Sequence, residues 1–193
     1  IHGSLGVAGV ADLQKACQEG RVAGLKGFGP KTEEKILQGI RFFEEHADRF
    51  LYHKALALAE NIVSVIGALE ATERVEIAGS LRRRKETVRD IDILVSSDDP
   101  EAVMEVFTTL PLVELVHARG STKSSVLLYG GLDCDLRVVR DDEFAPALLY
   151  FTGSKEHNTR LRGIAKHRGL KLNEYGLFRE EEGLPADHEE DLY

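Results

Sequence analysis

The chain has 193 residues, of which 42% are hydrophobic and 30% charged, an ordinary composition for a globular protein. No run of apolar residues approaches the length of a membrane helix and no secretory leader opens the sequence, which argues against a membrane-spanning or secreted protein. The two cysteines, Cys17 and Cys134, lie too far apart in sequence for a zinc knuckle. They fit a reducing compartment, and we expect a cytoplasmic protein.

The net charge of −8, from 25 basic and 33 acidic residues, at first argues against a nucleic-acid partner. Its distribution is uneven, however. Residues 155–171 carry six Lys or Arg and one acid, residues 180–191 carry seven acids and no Lys or Arg, and residues 82–85 form a second basic run. A solvated face is the ordinary explanation of such runs. Because the acidic excess is partly local, a polyanionic partner remains compatible with it.

The N-terminal part is predicted to be helical. A helix over residues 12–19 and another over 32–45 flank a glycine-rich turn at 25–31, in which Pro30 suits the first turn of the helix that follows. A third apolar face of helical spacing runs over residues 52–69. We therefore expect helix, hairpin and helix, followed by a longer helix.

Beyond residue 70 the pattern changes to mixed helix and strand. Alternating or β-rich runs predict strands, helical spacing predicts three helices, and the last stretch from residue 170 predicts short strands with an acidic end. The predicted strands are 75–78, 91–95, 112–118, 125–129 and 132–139, and the predicted helices are 101–110, 143–151 and 154–167. The fold class is α+β, with a mainly antiparallel or mixed sheet.

The densest chemical information lies between Gly79 and Val95. A predicted strand runs into Gly79-Ser80, where glycine permits close approach of a ligand to the backbone and a helix start would direct N–H groups at an anion. The following strand carries Asp90 and Asp92, which lie two residues apart and therefore face the same side. Two adjacent carboxylates repel each other unless a cation lies between them, and Mg²⁺ is the natural occupant.

A third carboxylate, Asp135, lies in the predicted strand 132–139 and could join the pair. Three carboxylates, two metal ions and a phosphate-binding turn are the apparatus of in-line phosphoryl or nucleotidyl transfer. An Asp-x-Asp sequence alone more often marks a solvated face, and the combination is what makes the signal specific.

The Gly-Ser and Asp-x-Asp module resembles the nucleotidyltransferase superfamily. The segment Tyr150-Phe151-Thr152-Gly153-Ser154-Lys155-Glu156-His157-Asn158, followed by Asn173-Glu174-Tyr175, narrows the resemblance to the family X DNA polymerases, which are DNA polymerase beta-like, and to their bacterial branch. The resemblance implies three parts: a helical DNA-binding segment over 1–70, a nucleotidyltransferase palm over 71–145, and a C-terminal nucleotide-selection subdomain over 146–193, which is small and thumb-like.

The resemblance also implies roles for individual residues. Asp90, Asp92 and Asp135 would be catalytic and would hold two Mg²⁺ or Mn²⁺ ions. Ser80 and Arg83, with the nearby backbone at Gly79, would bind the phosphates of the incoming nucleotide. Its sugar would be lined by Tyr150, Phe151 and Gly153, and Asn158 would contact its base. Arg83 suits the phosphates because its planar fork matches their oxygens. Without the motif, Tyr150 and Phe151 could be ordinary core aromatics.

DNA-side roles follow in the same way. Arg162 would touch the template strand, Arg137 would lie beside Asp135 and bias its orientation, and Tyr175 would close the nucleotide pocket. The turn containing Gly27, Gly29 and Lys31 resembles the helix-hairpin-helix element of DNA-repair proteins, in which backbone N–H groups approach a phosphate and a monovalent cation is sometimes bound. A purely structural turn is the alternative reading of the hairpin, as a structural salt bridge is for Arg137.

The sequence departs from the family pattern at Arg89, where members usually have Gly and use its backbone for a phosphate contact. The lyase domain and the phosphoesterase domain of some members have no counterpart here, so neither activity is assigned to these residues.

We expect a monomeric DNA-directed DNA polymerase that adds deoxynucleotides to a primer 3′-hydroxyl, in short-gap filling during DNA repair. Its partners would be gapped or primed duplex DNA and deoxynucleoside triphosphates, without a membrane. The alternatives are a template-independent nucleotidyltransferase and a DNA-binding module that is inactive as this fragment.

Overall fold

The computed structural model describes residues 1–46 and 49–193, which divide into two compact units, 1–49 and 50–193. This division differs from the predicted boundary at residue 70. The helix over residues 52–67 belongs to the second unit, because its buried residues pack into the core beneath the sheet there. Its apolar spacing predicts a helix but does not show which partner that face contacts.

The N-terminal unit contains α1 (His2–Leu5), α2 (Val10–Gln18) and α3 (Pro30–His46). Ala16, Cys17 and Val22 are buried together in a small core. The segment between α2 and α3 is tied down by the backbone N–H of Ala23, which donates to Glu33 Oε2 at 2.9 Å. A helix, a glycine-containing turn and a second helix are therefore present, close to the predicted bounds.

The second unit begins with β1 (Phe50–Leu51) and α4 (Tyr52–Gly67). The remaining elements are β2 (Arg74–Ile77), α5 (Gly79–Arg82), β3 (Thr87–Val88), β4 (Asp90–Ser96), α6 (Pro100–Thr108), β5 (Val113–Arg119), β6 (Lys123–Leu128), β7 (Leu132–Val139), α7 (Phe144–Thr152), α8 (Lys155–His167), β8 (Leu170–Asn173), β9 (Gly176–Arg179) and β10 (Glu182–Leu184). Short 3₁₀ turns at Asp141–Glu143 and Glu189–Leu192 complete it.

Five strands form one mixed sheet in the order β2-β4-β7-β6-β5. Only the central pair, β4 and β7, is parallel; the other three pairings of this sheet are antiparallel. Strands β8 to β10 form a separate antiparallel sheet near the C-terminus. The prediction of an α+β protein with a mixed sheet is therefore confirmed.

The two faces of the five-stranded sheet have opposite character. On one face Ile91, Ile93 and Val95 of β4 are buried, together with Cys134 and Leu136 of β7, in the main core, which α4 and α6 complete. The other face carries acidic residues at the start of β4. Further along the same strand and on the same side, Leu94 is buried against Phe144, Ala147 and Leu148 of α7. This face is therefore covered at one end and open at the acidic end.

Helix α8 begins after Ser154, whose side chain accepts a bond from the backbone N–H of His157 at 3.4 Å and so caps the helix. Leu161 and Ala165 of α8 pack with Leu172 and with Leu192 near the end of the chain. The C-terminal elements therefore have a small core of their own. None of the helices in the described part of the chain has the length and apolar run needed to cross a bilayer.

Candidate active site

Asp90, Asp92 and Asp135 lie on the open face of the sheet because β4 and β7 are paired in register. Asp92 lies directly beside Asp135, and Asp90 lies beside Asp133. Neighbouring strands are about 4.8 Å apart, so the carboxylates of such pairs interact strongly. The sequence predicted that Asp90 and Asp92 share a face, and the pairing of β7 with β4 brings Asp135 to that face.

The pKa of Asp92 is raised from its ordinary value of 3.8 to about 6. Burial is the main cause, and the charges of Asp90 and Asp135 add to it, while Lys123 and Arg83 act in the opposite direction. The pKa of Asp90 is also raised, by partial desolvation and then by the charge of Asp135. Repulsion among these groups is what a bound cation would relieve, because a positive charge favours the ionised carboxylates.

The donor set consists of carboxylate oxygens, which suit hard divalent cations such as Mg²⁺. Across residues 1–46 and 49–193, no three acidic, histidine or cysteine side chains converge as a ready-formed metal cage. Oδ2 of Asp135 is held by Lys123 Nζ at 2.7 Å. The carboxylates therefore suit a divalent ion in their chemistry, while Asp135 is paired with Lys123.

At Gly79 the backbone lies close to the Asp92 carboxylate. Its φ of +60° lies in the left-handed region, and a Cβ placed there would lie 1.9 Å from Asp92 Oδ2. Only glycine leaves room for the acid beside the start of α5. Ser80 follows in α5, a helix of four residues.

A cleft of about 500 Å³ opens beside the carboxylates. It is lined by Asp90 and Asp92 from β4, by the start of α5, and by residues around the α7–α8 junction. In full, the lining residues are Gly79, Ser80, Arg83, Asp90, Asp92, Tyr150, Phe151, Gly153, Ser154, Lys155, Asn158 and Arg162. All seven residues predicted to bind nucleotide, Gly79, Ser80, Arg83, Tyr150, Phe151, Gly153 and Asn158, therefore line one cavity.

Arg83 is half-buried in this cleft. It donates through Nη1 to the carbonyl of Thr152, while its buried Nε has no partner within the described chain. The close approach depends on Gly153, where a Cβ would lie 3.2 Å from Nη1. Arg83 lines the cleft, and an oxyanion is the partner that its planar guanidinium fits.

Part of the cleft is lined by the two helices α7 and α8, between which the Gly153–Ser154 peptide bond is cis. Asn158 donates through Nδ2 to the carbonyl of Tyr150 at 2.6 Å, so its amide oxygen is left for other partners. The Tyr150 and Phe151 rings pack edge to face at 5.1 Å. The aromatic pair and Asn158 thus form a fixed surface.

Arg137 differs from the prediction. The sequence placed it beside Asp135 as the residue that orients the carboxylate, but the ion pair with Asp135 is made by Lys123. The Arg137 guanidinium instead lies over the Phe151 ring at 4.7 Å, a cation–π contact. An arginine two positions along a strand from an aspartate shares its face, yet the ring above it offers the nearer partner.

Tyr175 is not brought to the cleft. It is 56% exposed in the turn between β8 and β9, and it lines a second cavity with Arg140 and Pro146. Gly27, Gly29 and Lys31 lie in the N-terminal unit, in and after the turn that precedes α3. Gly27 has a φ of +90°, which favours glycine, and the carbonyl of Gly29 accepts from the first turn of α3.

An ion pair between Arg82 and Glu189 connects α5 with the last turn of the chain. The guanidinium donates to both carboxylate oxygens, at 2.7 and 2.6 Å, and also to Thr152 Oγ1 at 2.9 Å. The bond to Glu189 raises the pKa of Arg82 above its ordinary value. Helix α5 is thereby held to the 3₁₀ turn Glu189–Leu192 and to the end of α7.

Sequence reasoning missed three residues at or near this site. Lys155 lines the cleft and belongs to the motif segment 150–158, so its place in that motif could have suggested it. Lys123 and Glu189 act through partners that are remote in sequence, and no local signal marks either residue.

This chain is similar in sequence to known DNA polymerases. A family model described as DNA polymerase beta thumb matches residues 147–193. DNA polymerase/3'-5' exonuclease PolX of Bacillus subtilis is 40% identical over 195 residues, which cover 98% of this chain and 34% of that protein. DNA polymerase lambda of Rattus norvegicus is 26% identical over 173 residues, covering 79% of this chain and 30% of that protein.

Repair DNA polymerase X of African swine fever virus is 26% identical over 160 residues, which cover 78% of this chain and 84% of the viral protein. The chain belongs to the family X DNA polymerases. The Bacillus relative places it with their bacterial branch. The chain spans about a third of the length of the first two relatives.

Proposed function

We propose that this chain carries the nucleotidyl-transfer site of a DNA-directed DNA polymerase that fills short gaps during repair. One observation carries the proposal: the acidic face of β4 and β7 borders a cleft that Arg83 lines together with Gly79 and Ser80. Carboxylates for metal ions and a donor for phosphates are the two requirements of nucleotidyl transfer.

Asp90, Asp92 and Asp135 would hold two divalent ions, Mg²⁺ or Mn²⁺. When bound, such ions lower the pKa of a hydroxyl nucleophile and neutralise charge on the transferred phosphate. The protein contributes the spacing: parallel, in-register strands fix Asp92 and Asp135 next to each other. The raised pKa of Asp92 means that this carboxylate gains more from a cation than an exposed one would.

The nucleotide would lie in the cleft with its phosphates towards α5. The Arg83 guanidinium would donate to a phosphate oxygen, and Ser80 and the backbone at Gly79 would add donors. Tyr150, Phe151 and Gly153 would line the sugar, and Asn158 would present its amide oxygen to the base. Arg89, where the family pattern usually has glycine, would supply charge instead of a backbone contact.

The DNA partner would be a gapped or primed duplex. Arg162 at the cleft and Arg137 beside it would approach the strands, and Tyr175 would act from the surface of the C-terminal subdomain. Gly27, Gly29 and Lys31 would hold a backbone phosphate as a helix-hairpin-helix element, with a monovalent cation on the turn carbonyls. We propose that the chain acts as a monomer.

The test is primer extension on a duplex with a one-nucleotide gap, in Mg²⁺ and in Mn²⁺. Asp135→Asn should reduce incorporation by at least about 100-fold, because it removes a charge at the reacting centre. Asp98→Asn is the matched control: it makes the same change at an exposed acid remote from the cleft, and should retain activity.

The outcomes separate the candidate functions. Incorporation that follows the template base supports a DNA-directed polymerase, and incorporation without a template indicates a template-independent transferase. Salt-dependent DNA binding without incorporation under any condition indicates a binding module. Equal activity of wild type and Asp135→Asn would contradict the assigned role of Asp135.

A further inference from the structure

Lys123 begins β6 and reaches along the acidic face of the sheet. In the antiparallel β6–β7 pair it lies opposite Arg137, and Ser125 lies opposite Asp135. The ammonium nevertheless reaches diagonally to Asp135 Oδ2, at 2.7 Å. The Lys123 side chain is 46% exposed, and its flexible stem allows the ammonium to leave without disturbing the core.

The arginines nearby are engaged with other partners. Arg137 lies over the Phe151 ring at 4.7 Å, and Arg83 donates to the carbonyl of Thr152. The positive charge in contact with the Asp135 carboxylate is therefore the Lys123 ammonium. It sits at the carboxylate that the proposed reaction needs for a divalent ion.

We propose that Lys123 is a placeholder cation: in the chain free of DNA and nucleotide its ammonium occupies Asp135, and it must withdraw before Asp135 can bind a divalent ion. The inference rests on the proposed function in one respect, that Asp135 is a ligand of such an ion. An ammonium and a divalent ion a few ångströms apart repel each other strongly even with solvent screening. Lys123 therefore weakens metal binding by the free chain, as a positioning residue for Asp135.

The test measures Mn²⁺ binding to the chain alone, by electron paramagnetic resonance of the free ion up to millimolar concentrations. Lys123→Met should tighten Mn²⁺ binding by roughly three- to tenfold, because a neighbouring positive charge is removed. Lys123→Arg keeps the charge and should restore the wild-type affinity. Lys54→Met makes the same change of net charge at an exposed lysine of α4 and should leave the affinity within about twofold, since screening weakens remote charges.

A double-mutant cycle ties the effect to one carboxylate. In an Asp135→Asn background, Lys123→Met should no longer tighten Mn²⁺ binding. Unchanged, weaker or undetectable binding by Lys123→Met overturns the inference, as does a gain that persists without Asp135. Thermal unfolding checks that each variant is folded, and Lys123→Gln replaces Lys123→Met if the latter is not.

Primer extension by the wild type separates the two proposals. Template-directed extension by the wild type, together with an unaltered Mn²⁺ affinity of Lys123→Met, supports the polymerase function and contradicts the placeholder role of Lys123. A tighter Mn²⁺ affinity of Lys123→Met, with no primer extension by any variant, supports the placeholder role of Lys123 and contradicts the polymerase function.

Discussion

Replacing Asp92 by Asn should stabilise the metal-free protein at neutral and alkaline pH. Asp92 titrates at about 6 in the folded chain, against an ordinary value of 3.8. Each pKa unit corresponds to 1.36 kcal/mol, so ionised Asp92 lowers the free energy of unfolding by at most about 3 kcal/mol. Asn has nearly the same shape and carries no charge. We expect Asp92→Asn to raise the free energy of unfolding by about 1–3 kcal/mol at pH 8.

The sign of the pH dependence follows from linkage. Between about pH 4 and 6 the folded state keeps the Asp92 proton while the unfolded state releases it, so stability falls as pH rises through this window. Below the window the group is protonated in both states and the cost disappears. The difference between Asp92→Asn and wild type should therefore shrink to about 1 kcal/mol or less at pH 4.5.

The assay is urea unfolding at pH 4.5, 6 and 8 in the presence of a chelator. Asp98→Asn, at an exposed acid, should stay within about 0.5 kcal/mol of wild type throughout. Added Mn²⁺ should stabilise wild type more than Asp92→Asn, because binding to the folded state shifts the unfolding equilibrium. An Asp92→Asn variant that is no more stable than wild type at pH 8, or a difference independent of pH, would refute the reasoning.

Three further predictions concern the walls of the cleft. Gly79→Ala should lower the free energy of unfolding by at least about 2 kcal/mol, since it combines a left-handed φ with a clash against Asp92. The control Gly163→Ala lies in a helix with open space around it and should raise the free energy of unfolding by about 0.5–1 kcal/mol. Equal effects of the two substitutions would contradict this prediction. Arg82→Met and Glu189→Gln should show a coupling free energy of about 1 kcal/mol in a double-mutant cycle of urea unfolding, and additive effects would exclude a coupled pair. Ser154→Ala should cost about 0.5–1 kcal/mol through loss of the α8 cap, measured by thermal unfolding; no loss would mean that the cap bond contributes nothing.

Local patterns predicted the strands that carry the acids. The run 132–139 matches β7, and 91–95 lies within β4, because apolar residues alternate with polar ones where one face of a strand is buried. The start of β6 was missed. Lys123-Ser124-Ser125 offers no apolar alternation, although Ser124 is buried, so the lysine beside Asp135 could not be anticipated.

Long-range partners were beyond the reach of local patterns. The apolar spacing of α4 predicts a helix, but the sheet that it packs against is decided by the whole fold, which is why the predicted boundary at residue 70 differs from the observed division after residue 49. Arg82 and Glu189 meet only because the chain returns to α5 at its end. The residues that line the cleft were predicted from the resemblance to a family. Their hydrogen-bond and ion-pair partners became known only from the structure.

The parallel pairing of β4 with β7 has a consequence for the order in which this protein assembles. Asp92 and Asp135 become neighbours only when two strands separated by a helix and a hairpin close on each other, a contact of high sequence separation that forms slowly. A slip of one residue would turn Asp135 to the side where Cys134 now lies buried. The set of Asp90, Asp92 and Asp135 is therefore complete only once β7 has paired with β4 in the native register.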